Sequence, residues 1–216
     1  MDDATVAETT GKVQHLRDRL DLWDWRQRVF ALYAAIRAAE PEAGWTLWRE
    51  GRDALFRDHP QTPLPPERQA AFEGLSLYPY DPALRFAVDL APVGADDPFT
   101  LDVGGDGTLR LRSFARTRGL GEALGGELTL YWLQAYGGGV FLPFRDATAG
   151  TETYAGGRYL LDTIKGADLG RAPDGRAIVD FNFAYNPSCS YSDRWVCPLS
   201  PAENNLPEAV RGGERV

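Results

Sequence analysis

Asp180, Asn182 and Asn186 recur at even spacing in Ala177-Ile178-Val179-Asp180-Phe181-Asn182-Phe183-Ala184-Tyr185-Asn186. Side chains alternate between two faces along a strand. Read as one strand, the segment carries a carboxylate and two amides on one wall, with Val179, Phe181, Phe183 and Tyr185 on the other. Desolvation on such a wall raises a carboxyl pKa, which makes Asp180 the candidate general base. Two arginines supply the opposite charge. Arg145-Asp146 follows the apolar run Val140–Phe144, and Arg158 stands in Gly156-Gly157-Arg158-Tyr159, where glycines permit close backbone approach. Arg145 and Arg158 are candidates for a clamp on a carboxylate or phosphate. The competing reading is architectural, with an Arg145–Asp180 or Arg158–Asp146 ion pair pinning the turn. The expected site therefore joins Asp180 to Arg145, Asp146, Arg158, Asn182 and Asn186 around a small anionic or polar metabolite in a barrel interior. If the polar wall meets solvent instead, that chamber does not form. Thr148, Thr151 and Thr153 read as turn hydroxyls.

Cys189 and Cys197 stand eight positions apart and admit four readings. They are core thiols, or a disulfide closing the 190–196 loop. Alternatively they join His59 in a zinc site, although their spacing exceeds the usual gap and a fourth ligand is missing. The last reading makes Cys189 a nucleophile activated by His59, with Asp180 or Asn182 orienting the imidazole. His59, between Asp58 and Pro60, also reads as an ordinary helix end. No phosphate-binding Gly-Lys-Ser/Thr loop, Gly-x-Ser-x-Gly elbow or calcium-loop spacing occurs, and no cofactor or metal is expected.

The elements that must position these groups divide the chain. Residues 1–11 are polar and expected to fray. Residues 12–75 read as helical. Leu16, Leu20, Trp23 and Phe30 follow helical spacing from Lys12 to Glu40, and Pro41 opens a second helix that His59-Pro60 stops. In that helix Trp45, Trp48, Leu55 and Phe56 form the apolar side, with Arg49, Glu50 and Arg52 assigned to the other. Residues 76–216 change to short strands with Gly-rich reversals at Gly104-Gly105-Asp106-Gly107 and Gly137-Gly138-Gly139, ending in a Pro-rich tail from Cys197. Helices first and about eight strands afterwards give α+β, with the helices packed on an antiparallel β-barrel or sandwich.

The chain has 216 residues and a net charge of −8, with 44% hydrophobic residues. That supports one folded unit able to bury roughly 70% of its unfolded surface. An acidic chain without a basic stripe argues against nucleic acid as a partner. No membrane-length apolar run and no basic, apolar leader are present. The expectation is a cytoplasmic protein with reduced thiols. Six Trp and ten Phe exceed what a small barrel needs, so a sticky aromatic face and a homodimer form the alternative to a binding pocket.

Several stretches carry a resemblance. They are Leu142-Pro143-Phe144-Arg145-Asp146-Ala147-Thr148-Ala149-Gly150-Thr151-Glu152-Thr153-Tyr154, Asp180-Phe181-Asn182, Tyr185-Asn186-Pro187-Ser188-Cys189, Cys197-Pro198, Glu203-Asn204 and Gly213-Glu214. With Arg52-Asp53, Leu55-Phe56, His59-Pro60 and Tyr80-Asp81-Pro82, the chain resembles the bacterial and archaeal domain-of-unknown-function family 1684 over nearly all its length after residue 20. The resemblance implies one intracellular-type domain and no established activity. Phe183 stands where many relatives are expected to carry Arg, which implies that a cation there is optional in this chain.

Overall fold

Ala4, Ala7 and Glu8 are strong helix formers, and acidic residues suit the positive end of the helix dipole. In a computed structural model, which describes residues 3–94, 99–102, 107–134 and 136–216, helix α1 (Asp3–Ala38) accordingly starts at Asp3. Residues 3–11 are thus helical where fraying was expected. Helix α2 (Pro41–Asp58) opens on Pro41, whose missing N–H costs nothing at a helix start, and ends at His59. Cβ atoms added at Gly44 and Gly51 would touch Ile36 and Leu32, and Phe56 lies beside Trp25, so the two helices run antiparallel at close range. Tyr33, Ile36 and Trp48 pack with Ala167, Leu169, Ile178 and Phe183, fastening the helical hairpin to the sheet. A short helix α3 (Pro66–Ala70) follows. Among the described residues, no helix is long and apolar enough to cross a membrane.

The sheet is antiparallel throughout its ladders. Its strands are β1 (Arg85–Pro92), β2 (Phe99–Asp102), β3 (Thr108–Arg118), β4 (Thr129–Leu133), β5 (Gly139–Phe144), β6 (Arg158–Asp162) and β7 (Ala177–Asp180). A one-turn helix, α4 (Gly121–Leu124), separates β3 from β4. Six strands form a path in the order β6-β5-β4-β3-β1-β7, and β2 pairs only with β3. The wall nearly closes: Tyr159 of β6 and Tyr185, beyond β7, exchange backbone hydrogen bonds of 2.9 and 3.1 Å. The result is an α+β, barrel-like sheet with six strands in its wall where about eight were expected. Of the expected turn at 104–107, residues 104–106 lie outside the described residues.

The strand expected over 177–186 stops at Asp180. Its carboxylate accepts from the Asn182 backbone N–H (3.0 Å) and side-chain amide (2.8 Å), and the chain turns through a 3₁₀ segment, Phe181–Phe183. A short side-chain acceptor has outcompeted the ladder for the backbone. Because the period breaks there, Phe181, Asn182 and Phe183 are all buried. The Pro-rich tail forms no strand but is tied down throughout. Asn204 donates to the Thr129 and Pro143 carbonyls and accepts from the Thr129 N–H, filling the gap between β4 and β5. Gly213 adopts φ +75°, and a Cβ there would lie 2.2 Å from the Ala184 carbonyl oxygen, so glycine is required at this crossing.

Candidate functional site

Five of the six expected site residues fall into two buried networks and a surface position, and the sixth, Asn186, lies apart from them on a cavity wall. Arg158, on β6, is 1% exposed. Its guanidinium pairs with Asp146 at 2.9 Å and donates to the tail carbonyls of Val210, Gly212 and Glu214. Burial lowers its pKa, opposed by the Asp146 carboxylate. Asp146 also accepts from the Thr148 hydroxyl and N–H and from the Val210 N–H. Of the two ion pairs considered, the structure contains Arg158–Asp146, and it clasps the tail. Arg145 is exposed, so its guanidinium does not meet Arg158 as a clamp, and its backbone bridges to Asn204 and Leu206.

Asp180 sits in the second network. It is 1% exposed, and burial raises its pKa, opposed by Arg85 (2.9 Å) and by the two bonds from Asn182. Asn182 in turn accepts from the Asp81 N–H and donates to the Asp81 carbonyl, joining the end of β7 to the segment before β1. The carboxylate that was expected to act as a base thus accepts three hydrogen bonds from Arg85 and Asn182.

Neither network opens on the part-open cavity between the helices and the barrel. That space, about 90 Å³, has Tyr33 and Arg52 on its helical side, and Tyr185, Asn186, Tyr191 and Cys197 on its barrel side. Arg52 was assigned to the polar face of α2. In fact Trp48, Arg52 and Phe56 recur at intervals of four, one residue per turn on the same side. The guanidinium lies 5.1–5.3 Å from the ring centroids of Trp48, Phe56 and Tyr185. It pairs with Glu214 through both Nε and Nη2. Glu214 is buried, and its second oxygen accepts from the Asn186 N–H and the Tyr191 hydroxyl, each at 2.6 Å. Burial opposes the charge on Arg52, but Glu214 more than offsets this and holds it more firmly protonated than a free arginine. Arg52 and Glu214 were visible only as parts of longer motifs. The i, i+4, i+8 placement of Arg52 between aromatics was the available signal.

The cavity's hydroxyls are neutral. Burial pushes Tyr33 up to about 12, and Tyr159, Tyr185 and Tyr191 well above the ordinary phenol value. These groups can exchange hydrogen bonds with a ligand but supply no base near neutral pH. Asn186 is 5% exposed. Its amide nitrogen donates to the Arg215 carbonyl at 3.0 Å, leaving Oδ1 buried without a hydrogen-bond partner. On its far side Asn186, with Tyr191, also lines an open groove of about 550 Å³ bounded by Arg68, Phe72 and Arg215.

The Cys–His arrangement does not form. His59 Nδ1 accepts from the Gln61 N–H, which leaves Nε2 to donate to Asp24 at 3.1 Å, and the ring stands edge-on to Trp25. It makes no hydrogen bond to either cysteine or to Asp180. Among the described residues, no three or more His, Cys, Asp and Glu side chains come together as metal ligands. Cys189 and Cys197 are free thiols, and they meet each other rather than His59.

Fold and site together define a helix-capped, barrel-like α+β domain with an aromatic cavity beneath the helices. The chain belongs to the family described as a protein of unknown function (DUF1684), whose model matches residues 70–215. That match begins later than the resemblance traced from residue 20, so α1 and α2, which supply Tyr33 and Arg52, lie outside it. A solved structure, the uncharacterised protein from gene locus rrnAC0354 of Haloarcula marismortui determined by solution NMR, is 33% identical. The similarity covers 81% of this chain and 94% of that one, with a TM-score of 0.54. No curated protein matches.

Proposed function

We propose that the domain binds a small, neutral polar metabolite in the cavity between the helices and the barrel. The observation that carries this reading is Asn186 Oδ1, a buried acceptor without a partner, in a residue that lines a pocket alongside six aromatic side chains. A buried polar atom left unpaired costs roughly 1–3 kcal/mol, which a ligand N–H or O–H would recover. Arg52 is already neutralised by Glu214, and Lys165 at the cavity edge by Asp162 at 3.0 Å. The charges in place therefore favour a polar donor over an anion. Tyr33, Phe56 and Tyr185 line the same space and supply aromatic surface for a ligand. The cavity volume is well below the ~300 Å³ at which drug-sized sites begin, so the ligand is small or extends into the neighbouring groove past Asn186.

A thermal-shift panel of neutral and anionic metabolites, run on the protein and on Asn186→Leu, tests this. At least one neutral, donor-bearing compound should raise the Tm of the parent, by up to ~2.7 kcal/mol of stabilisation at a hundredfold excess over Kd, and leave the variant unmoved. Shifts produced by anions alone, or equal shifts in the variant, would discard the reading.

One observation favours a second reading, self-association. Val13, Leu16, Leu20, Trp23 and Phe30 are all at least 44% exposed on α1. Their spacing of three, four, three and seven is that of a coiled-coil seam, which an identical helix from a second copy complements. Sedimentation equilibrium of the protein and of Leu20→Glu should show a dimer and a monomer, respectively; a monomeric parent removes this reading.

A further inference from the structure

Cys189 lies in the 3₁₀ turn Ser188–Ser190, set up by Pro187, and Cys197 follows the loop that this turn begins. The Cys189 N–H donates to Cys197 Sγ at 3.3 Å, and the Tyr154 hydroxyl contacts Cys189 Sγ at 3.7 Å. Tyr159 anchors the second arm by donating to the Pro198 carbonyl. Both residues are part-exposed, neither being sealed in the core.

We propose that Cys189 and Cys197 form a thiol–disulfide exchange site for low-molecular-weight disulfides, with Cys189 attacking and Cys197 resolving. Cys189 thiolate attacks one sulfur of the substrate. The substrate S–S bond breaks, a mixed disulfide forms on Cys189, and the departing thiolate takes up a proton. Cys197 then loses its proton to solvent and attacks Cys189 Sγ, forming the 189–197 disulfide and releasing the second substrate thiol. The substrate disulfide is reduced by two electrons and the protein dithiol oxidised by two. The division of labour follows the local electrostatics. Hydrogen bonding from Cys197, opposed by burial and helped by Tyr154, lowers Cys189 to about 6, while the same contact and burial push Cys197 upward. Tyr154, Tyr159 and Lys165 also act electrostatically on the pair, and Asp193 acts on Tyr154. This inference is independent of the ligand cavity and stands if that reading falls.

The test uses the reduced full-length chain with oxidised glutathione as the probe disulfide, followed by thiol release and intact mass. The parent should release two thiols per chain and end as an intramolecular disulfide. Cys197→Ser should stop at a mixed disulfide on residue 189 with one thiol released. At pH 6, Cys189→Ser should react roughly tenfold more slowly or worse, the thiolate-fraction gain being partly offset by lower nucleophilicity. Tyr154→Phe, a milder change, should keep both steps and move the pH midpoint of the first step upward. A parent that stalls at the mixed disulfide, or a Cys189→Ser variant that reacts as fast as the parent, overturns the proposal.

Discussion

Two interior arginines are held in contrasting ways, and the contrast separates what builds this domain from what it offers a ligand. Arg158 and Arg52 both lie against aromatic rings, and both end on the same tail residue: Arg158 donates to the Glu214 backbone carbonyl, Arg52 to its carboxylate. Around Arg158 four acceptors close on the guanidinium, Nε alone has no partner, and its plane faces Phe144. Around Arg52 the same kind of pair borders a part-open space lined by Asn186, which keeps a free acceptor. The fully buried Arg158 and the largely buried Arg52 thus differ in whether space was left beside them. A buried ion pair by itself is weak evidence of function. A buried ion pair next to a cavity with an unmet hydrogen bond is stronger evidence.

Arg158→Met should produce the largest effect. It strands Asp146 and three tail carbonyls, and a loss of ~3–5 kcal/mol is expected from the denaturant midpoint. Arg52→Met should cost less, ~2–3 kcal/mol, because Glu214 keeps the Asn186 N–H and Tyr191 hydroxyl as donors. Equal losses would erase the contrast between the two arginines. Asn186→Leu removes one hydrogen bond, to Arg215, and should cost under ~1.5 kcal/mol by the same measurement. A loss as large as that of Arg158→Met would make Asn186 architectural.

The smallest effect concerns pH at the tail clasp. Arg211, followed by the Tyr78 hydroxyl, holds Glu152 down at about 2. A depressed carboxyl stabilises the fold fully above its unfolded value, 4.5, and loses that contribution as pH falls toward 2. The Tm of Glu152→Gln should therefore lie slightly below the parent at pH 7 and converge on it by pH 2. A gap that widens on acidification would reverse the sign.

Much of the frame was legible because it rests on local rules. Pro41 and His59-Pro60 bounded α2, the switch from helical to short-period patterning near residue 80 placed the sheet, and Arg158–Asp146 was already one of the pairs considered. The strand count and the site were not legible in the same way. The 177–186 segment has a clean period of two, yet Asp180 breaks it by capturing the Asn182 N–H, a choice between ladder and side-chain acceptor that spacing does not encode. Arg52 was assigned to solvent because charge suggests it, whereas its place in Trp48-x₃-Arg52-x₃-Phe56 turned it inward.

The amino-acid order alone therefore determined an α+β chain, the boundaries of α2, the acidic balance and the nearness of two cysteines along the chain. Only tertiary structure decided that the tail returns to bring Glu214 to Arg52, that the Cys189 thiol faces Cys197 and Tyr154 instead of His59, and that Asn186 keeps an acceptor free. Helix ends and periodicity depend on neighbours a few residues away. These pairings join groups up to 162 positions apart, and they are fixed by how the whole chain closes its core.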